Sequence, residues 1–303
     1  MKALITGING FIGSYLSEHL SQNGYIVEGT SRQKINLKNY KVYQSALGNL
    51  EEIANLITKS KPDVIFHLAA QSNIPYSFTH PQETLEANTI TTVNFLEYLR
   101  ERKSKTVFIS IGSSSEYGHS TKKLLTESSS LNPSSPYAIS KLAQSHFVDY
   151  YRKSFEIKAV HVRPFAIVGP GKKGDAISDF ARGIVAIEKG QQVKLLVGDL
   201  SHSRDFLDVR DCVSALGLIA EKPLSPSYNI CSGKGIKLED LLSKLITFSS
   251  AKVVVEKDPE KTRPSDDHII IGNSAKLKAL GFKPQIQIDQ TLSDILDYWR
   301  NHN

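Results

Sequence analysis

The chain has 303 residues, 22% of them charged, and a formal net charge of +6. That length can bury a sizeable core as one large α/β unit, or as a main unit carrying a smaller one, and the ordinary composition excludes extended disorder. Lys and Arg fall singly or in short pairs such as Lys122-Lys123 and Lys172-Lys173, with no basic arm or aromatic-interleaved stripe, so nucleic acid is not the expected partner and an anionic small substrate accounts for the basic excess.

The first segment, MKALITGINGFIG, enters an apolar strand with no leader or small-residue cleavage site, so no secretory signal is expected. Strand-like KALITG is followed by helix-like FIGSYLSEHLSQNG. The alternation then repeats with YIVEGTS and LEEIANLITKSK, DVIFHLAA and ANTITTVNFLEYLRERK, and finally TVFISIGSS. Strands and helices alternating at this spacing predict crossover units, hence an α/β fold with a doubly wound parallel sheet, helices on both faces and a ligand at the carboxyl ends of the strands. The stretch AVHVRPFAIVG reads as one further strand. Beyond it, GPGKKGD, LVGDLSHSRDF and EKPLSPSYNICSGKG punctuate shorter elements and place a boundary near Gly169. Residues 1–168 are expected to form the dinucleotide-binding domain, and residues 169–303 mainly a smaller α/β substrate-binding domain. At least one later strand and helix should return to the main sheet, since FLDVRDCVSALGLIAEK reads as a strand end entering an amphipathic helix. The two cysteines, Cys212 and Cys231, lack CxxC spacing and a His cluster, so neither a disulfide framework nor a bound metal is expected. No run approaches the roughly 20 apolar residues of a membrane span, and the expected location is the cytoplasm, without membrane contact.

Gly7, Gly10 and Gly13 stand between the first strand and the first helix. Gly7 permits the tight turn, Gly10 lets backbone approach a pyrophosphate, and Gly13 lets helix and strand pack closely. The helix start then offers free N–H groups and a positive dipole end to the phosphates. About 20 residues on, where NAD would meet a carboxylate, VEGTSRQK ends in Ser31 and Arg32, while Glu28 lies earlier, inside the strand. A guanidinium beside a hydroxyl suits a 2′-phosphate, which favours NADP(H) and leaves NAD(H) possible. The plainer alternative is a solvated surface arginine.

In SPYAISK, Ser135 is a natural N-cap and Pro136 a natural first helical residue, so Tyr137 falls in the first turn with Lys141 four residues on along the same face. A phenol ordinarily has a pKa of about 10, and both the helix start and a nearby ammonium favour its anion, so a general acid/base tuned toward neutrality is expected. The strand VFISIGSSSEYG ends in Ser113, Ser114 and Ser115 at the same sheet edge. A hydroxyl there can hydrogen-bond the substrate oxygen that gains or loses the proton.

These residues closely resemble the extended short-chain dehydrogenase/reductase family, whose fold is of the Rossmann type, over essentially the whole chain. TGINGFIG resembles its cofactor loop, adding Phe11 and Ile12 to the cofactor-binding set, and HLAAQS resembles its fourth-strand motif, adding Leu68, Ala69 and Ala70. Asn88 resembles its structural asparagine, and SPYAISK its YxxxK element. Within the family, IGSSSEYG, VGDLSHSRDFLDVRD, YNICSGKG and RPSDDHIIIGNSAKLKALGFKP look most like the GDP-6-deoxy-4-keto-D-mannose reductases and their GDP-mannose 4,6-dehydratase relatives.

The resemblance implies that Tyr137 is the acid, that Lys141 binds the nicotinamide ribose and lowers the phenol pKa, and that Ser113 completes the triad. It puts Ser114, Ser115, Arg204 and Arg263 at the substrate, the arginines on a nucleotide-sugar diphosphate; surface ion pairs with Asp205 or Asp266 are their alternative. Dehydratases of this kind keep a glutamate where this chain has Ser115, which leaves loss of water without chemical support. The reductase pattern also tends to carry that glutamate. Ala166 replaces an asparagine that contacts the sugar nucleotide, and Ala46 an aspartate that contacts adenine. The implied activity is NADPH-dependent reduction of the C4 ketone of a nucleotide-linked 4-keto-6-deoxyhexose, with a nucleotide-sugar 4-epimerase and a non-catalytic NADP-binding scaffold as alternatives. A homodimer through TITTVNFLEYLR and the helix beginning at Pro136 is implied as well, with core packing of the apolar stripe on VNFLEYL as the alternative.

Overall fold

The structure, a computed structural model, describes residues 1–118, 120, 124–261 and 269–302. The first apolar run becomes β1 (Lys2–Thr6), and the glycine loop turns it into α1 (Phe11–Gln22). Next come β2 (Ile26–Ser31), β3 (Lys41–Gln44), α2 (Leu50–Ser60) and β4 (Val64–His67). β3 escapes the sequence reading because its two apolar residues, Val42 and Tyr43, are only half-buried at a sheet edge and make no clear pattern.

A short α3 (Ile74–Thr79) precedes α4 (Pro81–Leu85), a π turn over Glu86–Ile90 and α5 (Thr91–Glu101). The segment read as one helix is therefore interrupted by a wider turn, of the kind that reorients a side chain at a particular site. Here it carries Asn88, whose Oδ1 accepts from Gln71 N at 2.8 Å and whose Nδ2 donates to Gln71 O at 3.0 Å and Ser140 Oγ at 2.9 Å. β5 (Val107–Ile111) ends before a 3-10 turn over Ser114–Tyr117, and α6 (Pro136–Phe155) follows.

The stretch AVHVRPFAIVG is two strands rather than one: β6 (Ala159–Pro164) pairs with β5, and β7 (Ala166–Val168) belongs to another sheet. Pro164 has no N–H with which to extend the ladder, and Phe165 turns into a small cluster with Tyr117, Leu125 and Cys231. The chain continues through α7 (Ala176–Glu188), β8 (Leu195–Val197), β9 (Ser203–Asp208), α8 (Val209–Glu221), β10 (Ser227–Ile230), β11 (Gly235–Lys237), α9 (Leu238–Thr247), β12 (Val255–Lys257), β13 (Ile269–Ile270), α10 (Ala275–Ala279) and α11 (Ile288–His302).

Seven strands form a wholly parallel sheet in the order β10-β6-β5-β4-β1-β2-β3. Successive residues point to opposite faces: Ala3 and Ile5 pack with Leu16 and Leu20 of α1 and Cys212, Val213 and Leu216 of α8, while Leu4 packs with Ile53 of α2, Phe95 of α5 and Val148 of α6. This is a Rossmann-type sheet with helices on both faces. β10 and α8 are the late strand and helix that return to it. β9, which feeds α8, lies instead in a second sheet, antiparallel to β11 and parallel to β7 and β13. A separate core, with Phe180, Leu241, Leu292 and Trp299, joins α7, α9 and α11 beside it. Among the described residues, no helix is long and apolar enough to cross a membrane.

Candidate active site

The carboxyl ends of β1, β4 and β5, neighbours in the sheet, put three loops along one edge. In the first, Gly7 has φ +69, which only glycine adopts without strain. A Cβ on Gly13 would stand 2.3 Å from Gly7 O, so α1 can approach the turn only because that residue is glycine. Gly10 is exposed, with its N–H donating to Gly7 O at 2.9 Å. No side chain caps α1, and the N–H groups of Phe11, Ile12 and Gly13 have no intrahelical acceptor. Leu68, Ala69 and Ala70 follow β4 beside this turn: a Cβ on Gly7 would lie 3.3 Å from Ala69 N, and Ala69 N donates to Thr6 Oγ1 at 2.9 Å. Ser31 closes β2 as a buried residue and Arg32 is exposed just beyond it. Glu28 is committed elsewhere, its Oε2 accepting from Tyr43 Oη at 2.9 Å.

At the next loop, Ser135 caps α6 by accepting from Ala138 N at 3.1 Å, and Tyr137 is buried in the first turn. The Ser113 hydroxyl lies close enough to the Tyr137 phenol to favour its anion. Lys141 Nζ donates to Ile111 O at 2.8 Å and Gln144 Oε1 at 3.1 Å. Burial pushes the Tyr137 phenol up to about 12, against the pull of Ser113 and with a smaller push from Glu116. The sequence reading expected a downward shift. The structure reverses it because removing the anion from water outweighs the pull of the Ser113 hydroxyl, while Lys141 Nζ is turned to the Ile111 carbonyl and Gln144. Burial lowers Lys141 to about 8, with Glu116 opposing the fall.

Ser113 itself is held on several sides. Its N–H donates to Glu116 Oε1 at 2.9 Å, its hydroxyl accepts from Ser115 N at 3.1 Å, and the same hydroxyl donates to Ser115 Oγ at 3.0 Å. Ser114 and Ser115 lie half-buried in the 3-10 turn that Ser113 caps. Glu116 points inward, fully buried between His161 and Arg163, so it does not take the place that Ser115 leaves without a carboxylate. Sequence reasoning missed Glu116, His161 and Arg163. The available signal was two ionisable residues at strand spacing inside the otherwise apolar β6.

Arg204 is half-buried on β9 of the second sheet, its Nη1 donating to Ser203 O at 3.1 Å. Asp205 beside it is turned inward, where it accepts from Ser232 N at 2.7 Å, Ser232 Oγ at 2.6 Å, Gly233 N at 2.9 Å and Gly272 N at 3.1 Å. Arg263 and Asp266 lie outside the described residues. Ala46 is exposed after β3, and Ala166 begins β7 half-buried. Cys212 and Cys231 are buried free thiols, and among the described residues no group of three or more His, Cys, Asp or Glu could hold a metal.

A family model described as GDP-mannose 4,6 dehydratase matches residues 4–295. The chain is 32% identical to the GDP-6-deoxy-D-mannose reductase of Pseudomonas aeruginosa over 99% of this chain and 97% of that protein. It is 28% identical to the UDP-glucose 4-epimerase of Mycolicibacterium smegmatis over 99% of each. Among solved structures it overlays RMD from Pseudomonas aeruginosa complexed with NADPH at a TM-score of 0.87, with 29% identity over 100% of this chain and 99% of that one. Sequence and fold agree over nearly the full length, and the chain belongs to the GDP-mannose 4,6 dehydratase family of extended short-chain dehydrogenases/reductases, enzymes of the oxidoreductase type.

Proposed function

We propose that this enzyme reduces the C4 ketone of a nucleotide-linked 4-keto-6-deoxyhexose with NADPH, converting GDP-4-keto-6-deoxy-D-mannose to GDP-D-rhamnose. The observation that carries this reading is the buried Tyr137 at the start of α6 facing a Ser113 turn in which Ser115, and no carboxylate, stands two residues after Ser113. The 32% identity to the GDP-6-deoxy-D-mannose reductase supports the substrate.

NADPH, when bound, supplies the hydride. The residues fit it: the glycine turn leaves backbone room, the uncapped start of α1 suits the pyrophosphate, and Ser31 and Arg32 suit a 2′-phosphate. NADH remains a second possible donor. Phe11, Ile12, Leu68, Ala69 and Ala70 line the same turn, and Lys141 holds the nicotinamide ribose. Ser113 orients the substrate carbonyl oxygen and Tyr137 gives its proton to that oxygen. The Lys141 ammonium steadies the phenolate until solvent returns the proton. Ser114, Ser115, Arg204 and Arg263 hold the sugar nucleotide, with residues 169–303 supplying its side of the cleft. Purified enzyme is expected to consume NADPH when given GDP-4-keto-6-deoxymannose, and unchanged nicotinamide absorbance ends this reading.

A 4-epimerase would use the same three residues, and the likeness to UDP-glucose 4-epimerases supports it. Its mark is tightly held NAD⁺ and no net consumption of NADPH; Arg32, standing where a carboxylate would select NAD, weighs against it. Exposed Ile90, Ile139, Phe147 and Tyr150 on the π turn and α6 form an apolar face through which we propose a homodimer, to be checked by sedimentation. The cytoplasm, a reducing compartment, suits Cys212 and Cys231 as free thiols and is the proposed location.

A further inference from the structure

Beneath the Ser113–Tyr137 pair lies a charged cluster to which the proposed chemistry gives no task. Glu116 is fully buried; its Oε1 accepts from Ser113 N at 2.9 Å and lies 2.9 Å from His161 Nε2, and its Oε2 accepts from Arg163 Nε at 2.6 Å. His161 Nδ1 lies 3.1 Å from Ser110 Oγ, and Arg163 Nη2 donates to Ser145 Oγ at 3.1 Å. A Cβ on Gly112 would come within 2.2 Å of both Glu116 Oε1 and His161 Nε2, so the strand end is pressed directly against the carboxylate. Three consecutive residues thus meet the reacting groups and this cluster: the Ile111 carbonyl holds Lys141 Nζ at 2.8 Å, Gly112 packs on Glu116, and the Ser113 N–H bonds to it.

A carboxylate in such a place is costly to desolvate, and a neutral side chain could cap the Ser113 turn without that cost. What the charge adds is electrostatic. The ionisable groups facing Glu116 are His161 and Arg163 from β6 and Tyr137 and Lys141 from α6, while His67 of β4 also faces Lys141. Burial keeps the His161 and His67 imidazoles neutral by lowering both. Two neutral acceptors, Ile111 O and Gln144 Oε1, hold the Lys141 ammonium directly, and the Glu116 charge favours that form against its burial.

Resting on the reductase reading above, we propose that Glu116 is a positioning residue: through the Ser113 N–H it sets the serine hydroxyl against Tyr137, and through its charge it keeps Lys141 an ammonium across the pH range in which the reaction runs. His161 holds the oxygen that faces the Ser113 N–H, and Arg163 on the other oxygen offsets the cost of burying the charge.

The test uses Glu116→Gln, which keeps an acceptor for the Ser113 N–H and removes the charge, and the double variant Glu116→Gln/Arg163→Gln, which also removes the cation that the single change leaves buried. One readout is the pH profile of kcat with NADPH and GDP-4-keto-6-deoxymannose. The other is the ionisation midpoint of Lys141, followed by NMR on protein labelled at lysine side chains and assigned with Lys141→Met. In both variants the alkaline limb and the Lys141 midpoint are expected to move down together by about one pH unit, while the kcat plateau at lower pH stays within about threefold of the parent. Glu116→Ala, which also removes the acceptor, is expected to lower that plateau about tenfold or more without raising KM for NADPH. A folded double variant whose Lys141 titrates where the parent's does overturns the proposal. If the parent enzyme leaves NADPH untouched with this sugar nucleotide, it is the reductase reading that has failed, and the Lys141 midpoint still decides the role of the Glu116 charge.

Discussion

Two influences on Tyr137 are local, the start of α6 and the ammonium four residues along; the third, loss of water around the ring, depends on everything packed over it. The third dominates, and the phenol is pushed up to about 12 while Lys141 falls to about 8. A proton donor for reduction must hold its proton and its neighbour must hold its charge, so both conditions are met below about 8 and the second is lost above it. The rate of ketone reduction is therefore expected to be flat near neutrality and to decline as pH rises through about 8, read from kcat measured across buffers of rising pH. Tyr137→Phe removes the proton and little volume. It is expected to lower kcat by about a thousandfold while NADPH still binds, which fluorescence titration of the variant would show; near-parental turnover would remove Tyr137 from the reaction.

Helix starts and strand ends are where this sequence speaks most clearly. The α6 cap forms as the Ser-Pro pair predicts, and Ser135→Ala is expected to cost about 1 kcal/mol in urea unfolding, the usual worth of such a cap. The glycine turn is as legible, because Gly7 takes a positive φ and Gly13 leaves no room for a Cβ. Gly13→Ala puts a carbon 2.3 Å from Gly7 O, so α1 must back away from the turn. A fall in NADPH affinity of about tenfold or more, by titration of intrinsic fluorescence, is the expected result; unchanged affinity would mean that α1 and its N–H groups do not hold the phosphates. Other elements were not legible at this scale. β3 is too short and too exposed to show a period, the π turn is a one-turn departure inside a helical pattern, and the break at Phe165 depends on a cluster gathered from Tyr117, Leu125 and Cys231.

Across the whole molecule, the second sheet and its helices form a core apart from the main one. Arg300 of α11 pins this region by gripping Glu188 at the end of α7, with Nη2 to Oε1 at 2.8 Å and Nε to Oε2 at 3.0 Å. That grip holds the Glu188 carboxyl down to about 2, below its usual 4.5. A carboxyl whose folded pKa is depressed stabilises the fold above its unfolded value and loses that contribution as pH falls toward the folded one. Glu188→Gln is accordingly expected to cost about 1 kcal/mol near neutrality, the scale of a partly exposed ion pair. The gap from the parent should narrow as pH falls from 4.5 toward 2, a trend that urea melts at several pH values would reveal.

The alternation of strands and helices, the glycine turn, the helix cap and the Ser, Tyr and Lys that meet at one sheet edge all follow from short stretches of chain, because period, capping and steric demand act over a few neighbouring residues. Packing across long separations decided the rest. Glu116 meets His161 and Arg163 across 45 and 47 residues, β10 joins the main sheet from far down the chain, and the proton affinity of Tyr137 turns on how completely the folded protein shuts out water. Desolvation and charge pairing are properties of the assembled interior, and no local pattern of residues encodes them.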